Sequence, residues 1–150
     1  MGRVRYEYNL LTENRKGFQG EITSNIEKII NWVHVPLVFD SHLIDAIQNS
    51  KDWKPAVSAS GTARLYRGSL FISEEPLDTF LDMSDWGKGF AVVNGFVLGR
   101  YWNIGPQMTL YVPWPLLKTG KNEVMVFELE KAGLAFNFID YPILASSRKK

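Results

Sequence analysis

The sequence contains no cysteine. That excludes a disulfide scaffold, a thiolate zinc site and a cysteine nucleophile, and leaves the compartment open, because secreted proteins also fold without disulfides. Histidine is nearly as scarce: His34 and His42 are the only two, without an HxxxH or HxH pattern, and read as ordinary polar or half-buried side chains, so no metal is expected. Charge of one sign is missing as well. Lys and Arg number 17 against 16 Asp and Glu, and the one basic cluster, Arg148-Lys149-Lys150, reads as a solvated end, which argues against nucleic acid as a partner. No run approaches the roughly 18 apolar residues of a membrane span, and "MGRVRYEYN" has no apolar core of a signal peptide, so a soluble domain with no membrane partner is expected. Finally, there is no GxSxG, no GxxxxGK[ST] and no GxGxxG after a strand, which removes the usual marks of a serine hydrolase, a P-loop NTPase and a dinucleotide fold, and with them any expected cofactor.

What is present is a period of two. The segments "VRYEY" (4–8), "QGEIT" (19–23), "RLYRGSLFI" (64–72), "DTFLDM" (78–83), "FAVVNGFVLG" (90–99), "MTLYV" (108–112), "NEVMVFELE" (122–130) and "LAFNFI" (134–139) alternate as short strands do. Turn chemistry separates them at Arg15-Lys16-Gly17, Glu75-Pro76, Asn94-Gly95, Gly105-Pro106 and Thr119–Asn122, in the manner of an antiparallel sandwich. Asn94-Gly95 predicts a tight hairpin, because a type I′ turn needs two residues tolerant of positive φ. Residues 40–61 break the pattern. Leu43, Ile44 and Ile47 follow a possible cap at Asp40 or Ser41, so "DSHLIDAIQNS" predicts a short helix or a long ordered loop, an excursion from the sandwich without a second core. Pro113 and Pro115 in "VPWPLL" frame a tight turn or a single helical turn at a sheet edge. With 150 residues and no linker, a single domain over 1–150 is expected, burying roughly 68–70% of its unfolded surface.

Two groups of residues invite a chemical reading. Asp78, Asp82 and Asp85 cluster in sequence, but on one strand Asp78 and Asp82 would stand about 13 Å apart at roughly 3.3 Å per residue. That is too far for the pair of a retaining glycosidase, which needs about 5–5.5 Å, and long for an inverting one. Asp85 reads as an Asx or capping residue of the "DWGKG" turn, with calcium as the other possibility. Aromatic residues make the stronger candidate: Trp86 with Arg100, Tyr101, Trp102 and Asn103 offers stacking faces and donors for sugar hydroxyls. The competing reading is packing, with alternation sending Tyr101 outward and Trp102 into the core, or the reverse.

These residues carry a resemblance. The string "DTFLDMSDWGKGFAVVNGFVLGRYWNIGPQMTLYVPWPLLKTGKNEVMVFELE" (78–130) resembles the C-terminal β-sandwich region of family 35 glycoside hydrolases, the β-galactosidases. "MGRVRYEYNLLTENRKGFQGEI" (1–22) and "TARLYRGSLFI" (62–72) are similar to further segments of the same enzymes, while 24–61 matches loosely, around Trp32 and Pro36-Leu37. The resemblance implies an all-β jelly-roll sandwich of the galactose-binding-domain-like kind. It also implies that the family's two catalytic glutamates sit on an upstream (β/α)8 barrel, a fold of ~250 residues for which this sequence has no room, so no residue here inherits a catalytic role. Val92 and Phe96-Val97 depart from the family, which commonly has Trp before "VNG" and polar residues after it; the less polar tip favours packing on another surface. The expected function is therefore a non-catalytic domain docking on a barrel of the same or a partner chain. The alternative is an autonomous carbohydrate-binding module that takes galactosides through Trp86, Arg100, Tyr101 and Trp102. A secreted, periplasmic or lysosomal setting would suit the family.

Overall fold

A computed structural model describes residues 20–33, 35–36, 38–55 and 61–144. The expected strand at 4–8, the Arg15–Gly17 turn, His34 and the basic tail at 148–150 lie outside the described residues. Two compact units divide the chain, Met1–Val38 and Phe39–Lys150. In the first, β1 (Thr23–Ser24) and β2 (Glu27–Lys28) form a small antiparallel hairpin whose turn holds Asn25 at φ 56°. Its Lys28 Nζ lies 2.7 Å from Glu21 Oε1, an exposed pair of little energetic weight.

The second unit is an all-β sandwich with one short helix. One sheet has four strands, β3 (Arg64–Ile72), β8 (Gly120–Glu128), β5 (Lys88–Val93) and β6 (Phe96–Trp102), in that spatial order. The other has three, β7 (Thr109–Val112), β4 (Thr79–Asp82) and β9 (Asn137–Ile139). Every pairing is antiparallel. Between the sheets, alternate residues of both meet: Leu81, Leu110 and Val112 from the small sheet face Ala91, Val93, Tyr101, Val124 and Val126 from the large one. The period of two read from the sequence is this inward and outward alternation.

The Asn94-Gly95 hairpin forms, with φ of 47° and 83° at the two turn residues. Beyond it the register slips: Val92 pairs with Val97 but Ala91 with Gly99, so Leu98 is an extra residue and Gly99 sits at φ 140°. This bulge reverses the alternation of β6. Unbroken parity from Phe96 would send Arg100 and Trp102 inward; after the bulge Tyr101 turns to the core instead.

Residues 40–50 do form a helix, α1 (Ser41–Gln48), whose N-cap Asp40 accepts a 2.9 Å hydrogen bond from the Leu43 amide. The excursion is more than a loop, however. Ile44 and Ile47, with Phe39 and Trp53, pack on Phe90, Val92, Met125 and Phe127 of the large sheet's outer face, making a second apolar cluster that was not expected from the sequence. At the other end, Trp114–Leu116 form a single 3₁₀ turn after Pro113, as the proline spacing suggests. Among the described residues no helix is long and apolar enough to cross a membrane.

Candidate functional site

The five residues singled out in the sequence separate in space. Trp86 is 3% exposed, stacked on Phe136 with ring centroids 5.2 Å apart and an interplanar angle of 3°, and its Nε1 donates to the Ala135 carbonyl at 3.2 Å. A Cβ on Gly133 would stand 2.5 Å from that indole nitrogen, so the loop passes over Trp86 as bare backbone. Tyr101 is 5% exposed. Arg100 and Asn103 are exposed and Trp102 half-buried, with Lys88 Nζ 3.9 Å from the centre of its ring, a cation–π contact. The fold thus leaves Arg100, Trp102 and Asn103 near one end of β6 and takes Trp86 and Tyr101 inside.

The residue around which Tyr101 is organised was not anticipated. Glu128 is 2% exposed, yet its carboxylate is fully engaged. Oε2 accepts from the Gly87 amide at 2.9 Å and the Tyr101 hydroxyl at 2.8 Å. Oε1 accepts from the amides of Lys88 at 2.9 Å, Glu130 at 2.7 Å and Lys131 at 3.1 Å. Burial, and then the hydrogen bond to Glu128, push the Tyr101 phenol well above its ordinary pKa. The glycines of "WGKG" belong to the same arrangement: a Cβ on Gly89 would lie 1.7 Å from the Phe127 carbonyl, and one on Gly87 2.8 Å from the Lys131 nitrogen. Parity could have found Glu128. Asn122, Val124, Val126 and Glu128 share the inward side of β8, and all four are 0–2% exposed.

Asn122 closes the opposite end of that strand. Its Oδ1 accepts from the Lys118 amide and from Asn94 Nδ2, each at 2.8 Å, and its Nδ2 donates to the Lys118 carbonyl at 2.7 Å. Asn94 in turn donates to the Leu116 carbonyl at 2.7 Å and accepts from the Glu123 amide at 2.9 Å, so the hairpin tip is fastened to the next loop.

The aspartates are local clasps. Asp78 precedes β4 and accepts from the Trp114 amide at 2.8 Å; that bond first, and the Tyr111 hydroxyl second, hold its carboxyl below the usual range. Asp82 caps the turn that precedes "DWGKG", accepting from the Ser84 amide at 2.9 Å. Among the described residues no three of His, Cys, Asp or Glu gather closely enough to hold a metal.

A concavity of about 810 Å³ lies elsewhere, between residues 47–55 and the start of β3. Trp53 lines it, with the Arg67 guanidinium 5.5 Å from its ring centre, and Arg67 is itself bound to Glu123. Asp52, Lys54, Arg64 and Tyr66 complete a mixed, partly charged wall.

Comparison with known proteins agrees with the geometry. Residues 63–122 match the family model described as "Beta-galactosidase, galactose-binding domain". The chain is 39% identical to β-galactosidase-1-like protein 2 of Homo sapiens over 98% of its own length and 23% of the relative's. It is 36% identical to β-galactosidase 17 of Arabidopsis thaliana over 89% of the chain and 21% of that protein, and 33% identical to a β-galactosidase of Macaca fascicularis over 99% and 25%. The chain therefore spans about a quarter of these relatives or less. The strings that carried the resemblance are the ones that build these buried clasps, and along nearly its whole length the chain is similar to a part of the β-galactosidases, its residues 63–122 matching their galactose-binding domain.

Proposed function

We propose that this chain is a non-catalytic β-sandwich domain that docks on, and completes, the catalytic barrel of a β-galactosidase-like hydrolase. What supports the reading above all is where the recognisable residues spend their chemistry. Trp86 and Tyr101, two of the three aromatic rings proposed for a sugar platform, are inside the sandwich, and Glu128, an inward glutamate of the kind that could serve as an acid or base, is consumed by four amides and a phenol. A general acid or base must reach the proton it moves, and Glu128 has no such access.

The autonomous binding module keeps Arg100, Trp102 and Asn103 as its remaining ligand surface. Calorimetric titration of the chain with galactose, lactose and a β-1,4-galactan oligosaccharide separates the two readings, run beside a hydrolysis assay with a nitrophenyl β-galactoside. The docking domain gives no saturable heat and no hydrolysis. Saturable binding that disappears in Trp102→Ala while the fold is kept would replace the docking domain by the module.

A further inference from the structure

The two sheets differ in what covers their outer faces. On the four-stranded sheet the chain supplies its own cover, with Phe39, Ile44, Ile47 and Trp53 seated over Phe90, Val92 and Met125. On the three-stranded sheet the outward residues of the middle row are Phe80, Tyr111 and Ile139, paired directly across β4, β7 and β9. The Phe80 and Tyr111 rings are 5.5 Å apart, and beside them Tyr111 is 49% and Trp114 57% exposed. A row of large apolar side chains on a sheet face is ordinarily covered.

We propose that this patch, Phe80, Tyr111, Trp114 and Ile139, is the surface through which the domain docks on the rest of its β-galactosidase-like protein, against an apolar ridge bordered by lysine or arginine. The inference rests on the docking reading above and names the face that does it. Three observations choose the occupant. First, the relatives are about four times as long as the chain, and on the docking reading it is the remainder of such a protein that this face would meet. Second, the patch is partly held in place beforehand: Asp78 accepts from the Trp114 backbone amide and from the Tyr111 hydroxyl, so the Tyr111 ring and the backbone that carries Trp114 lose little freedom on burial. Tyr and Trp are also the side chains that anchor interfaces. Third, the three strands contain no Lys or Arg, while Asp78, Asp82 and Asp140 stand at their ends, a rim that calls for cations opposite. A second copy of this chain fits poorly, because a two-fold contact would bring the same aspartates towards their own copies.

The test places the chain in a β-galactosidase. Exchanged for the matching segment of the Macaca fascicularis protein, the native chain should give an active chimera, read by nitrophenyl galactoside hydrolysis after heating. The double variant Tyr111→Asp, Trp114→Asp should lower the inactivation midpoint by at least ~5 °C. The control Phe71→Asp, at a 74% exposed position on the other sheet, should not. Melting of the isolated variants reports any damage to the fold itself. Hydroxyl-radical footprinting of the unmutated proteins gives an independent reading: Tyr111 and Trp114 should be oxidised several-fold more slowly in the chimera than in the free chain. Equal footprints, or equal loss from the patch and control variants, would overturn the face while leaving the docking reading intact. A chimera no more stable than the same protein lacking the segment would overturn the docking reading itself. Dimers of the free chain abolished by Trp114→Asp, or galactose quenching lost in Trp114→Ala, would give the patch to a second copy or to a sugar.

Discussion

The interior of strand β8 and the outer face of the three-stranded sheet invert the usual distribution of polarity. Inside, between two sheets of aliphatic side chains, sit an asparagine and a glutamate at 0% and 2% exposure; outside, a tryptophan and a tyrosine are about half exposed. Neither is an accident of composition. The buried polar groups are fully matched, and among the described residues no buried side-chain nitrogen or oxygen lacks a partner. A satisfied polar network rigidifies a core and fixes its register, whereas a partly satisfied one would be worse than none. The exposed rings, by contrast, gain nothing from water. The comparison teaches that the recognisable string does two things in this domain: its inward residues, Tyr101, Asn122 and Glu128 among them, hold the fold, and its outward ones, Tyr111 and Trp114, are left about half exposed.

The sharpest way to break the comparison is at Glu128. Glu128→Ala strands four amides and a phenol in a site that solvent reaches poorly, and each orphaned donor costs about 1–3 kcal/mol before relaxation. We expect a loss of at least ~4 kcal/mol, near the whole stability of many domains, seen as a collapse of the urea midpoint. Glu128→Gln should recover little, since an amide turns donors towards donors. A loss below ~1 kcal/mol would mean that the carboxylate is a passenger and that the apolar layers alone set the fold.

Much of this was legible in advance and some was not, for physical reasons that differ by residue. The strand at 64–72 and the Asn94-Gly95 turn were written plainly, one by alternation and the other by the demand for positive φ. The side to which Tyr101 points was not, because a single extra residue at Leu98 reverses parity and nothing in "GFVLGRYW" announces a bulge except Gly99. The role of Glu128 was available from "VMVFELE", where it stands in phase with Val124 and Val126, but a glutamate in phase with a core is ordinarily taken for the strand's end. The packing of α1 onto the large sheet could not be read at all: an amphipathic helix shows which side it buries, not which surface receives it.

A middle-sized effect sharpens the comparison through pH. Tyr101→Phe removes one donor to Glu128 and leaves four, so at neutral pH it should cost about 1.5 kcal/mol. The phenol's pKa is raised in the folded chain by burial and by Glu128. Its contribution is therefore complete below the unfolded tyrosine pKa, about 10, and is lost as pH rises beyond it, at roughly 1.4 kcal/mol per unit. Urea midpoints of the native chain and Tyr101→Phe should accordingly converge near pH 11. A constant difference from pH 8 to pH 11 would show that the hydroxyl is not the group that titrates.

The smallest expected effect is at the exposed end of the comparison. Trp114→Ala removes the largest ring of the outer patch but keeps the backbone amide that Asp78 accepts from, so the 3₁₀ turn retains its tie. With 57% of the residue already exposed, little of its surface leaves the protein's own packing. The urea midpoint of the isolated chain should then move by no more than ~0.5 kcal/mol, as surface substitutions do. That near-silence is what gives the position meaning, because a large ring that contributes almost nothing to its own domain is stabilising only when something else covers it. A loss of ~2 kcal/mol in the isolated chain would make Trp114 a piece of the sandwich, and the distinction between a polar interior that holds the fold and an apolar face that meets a partner would fail there.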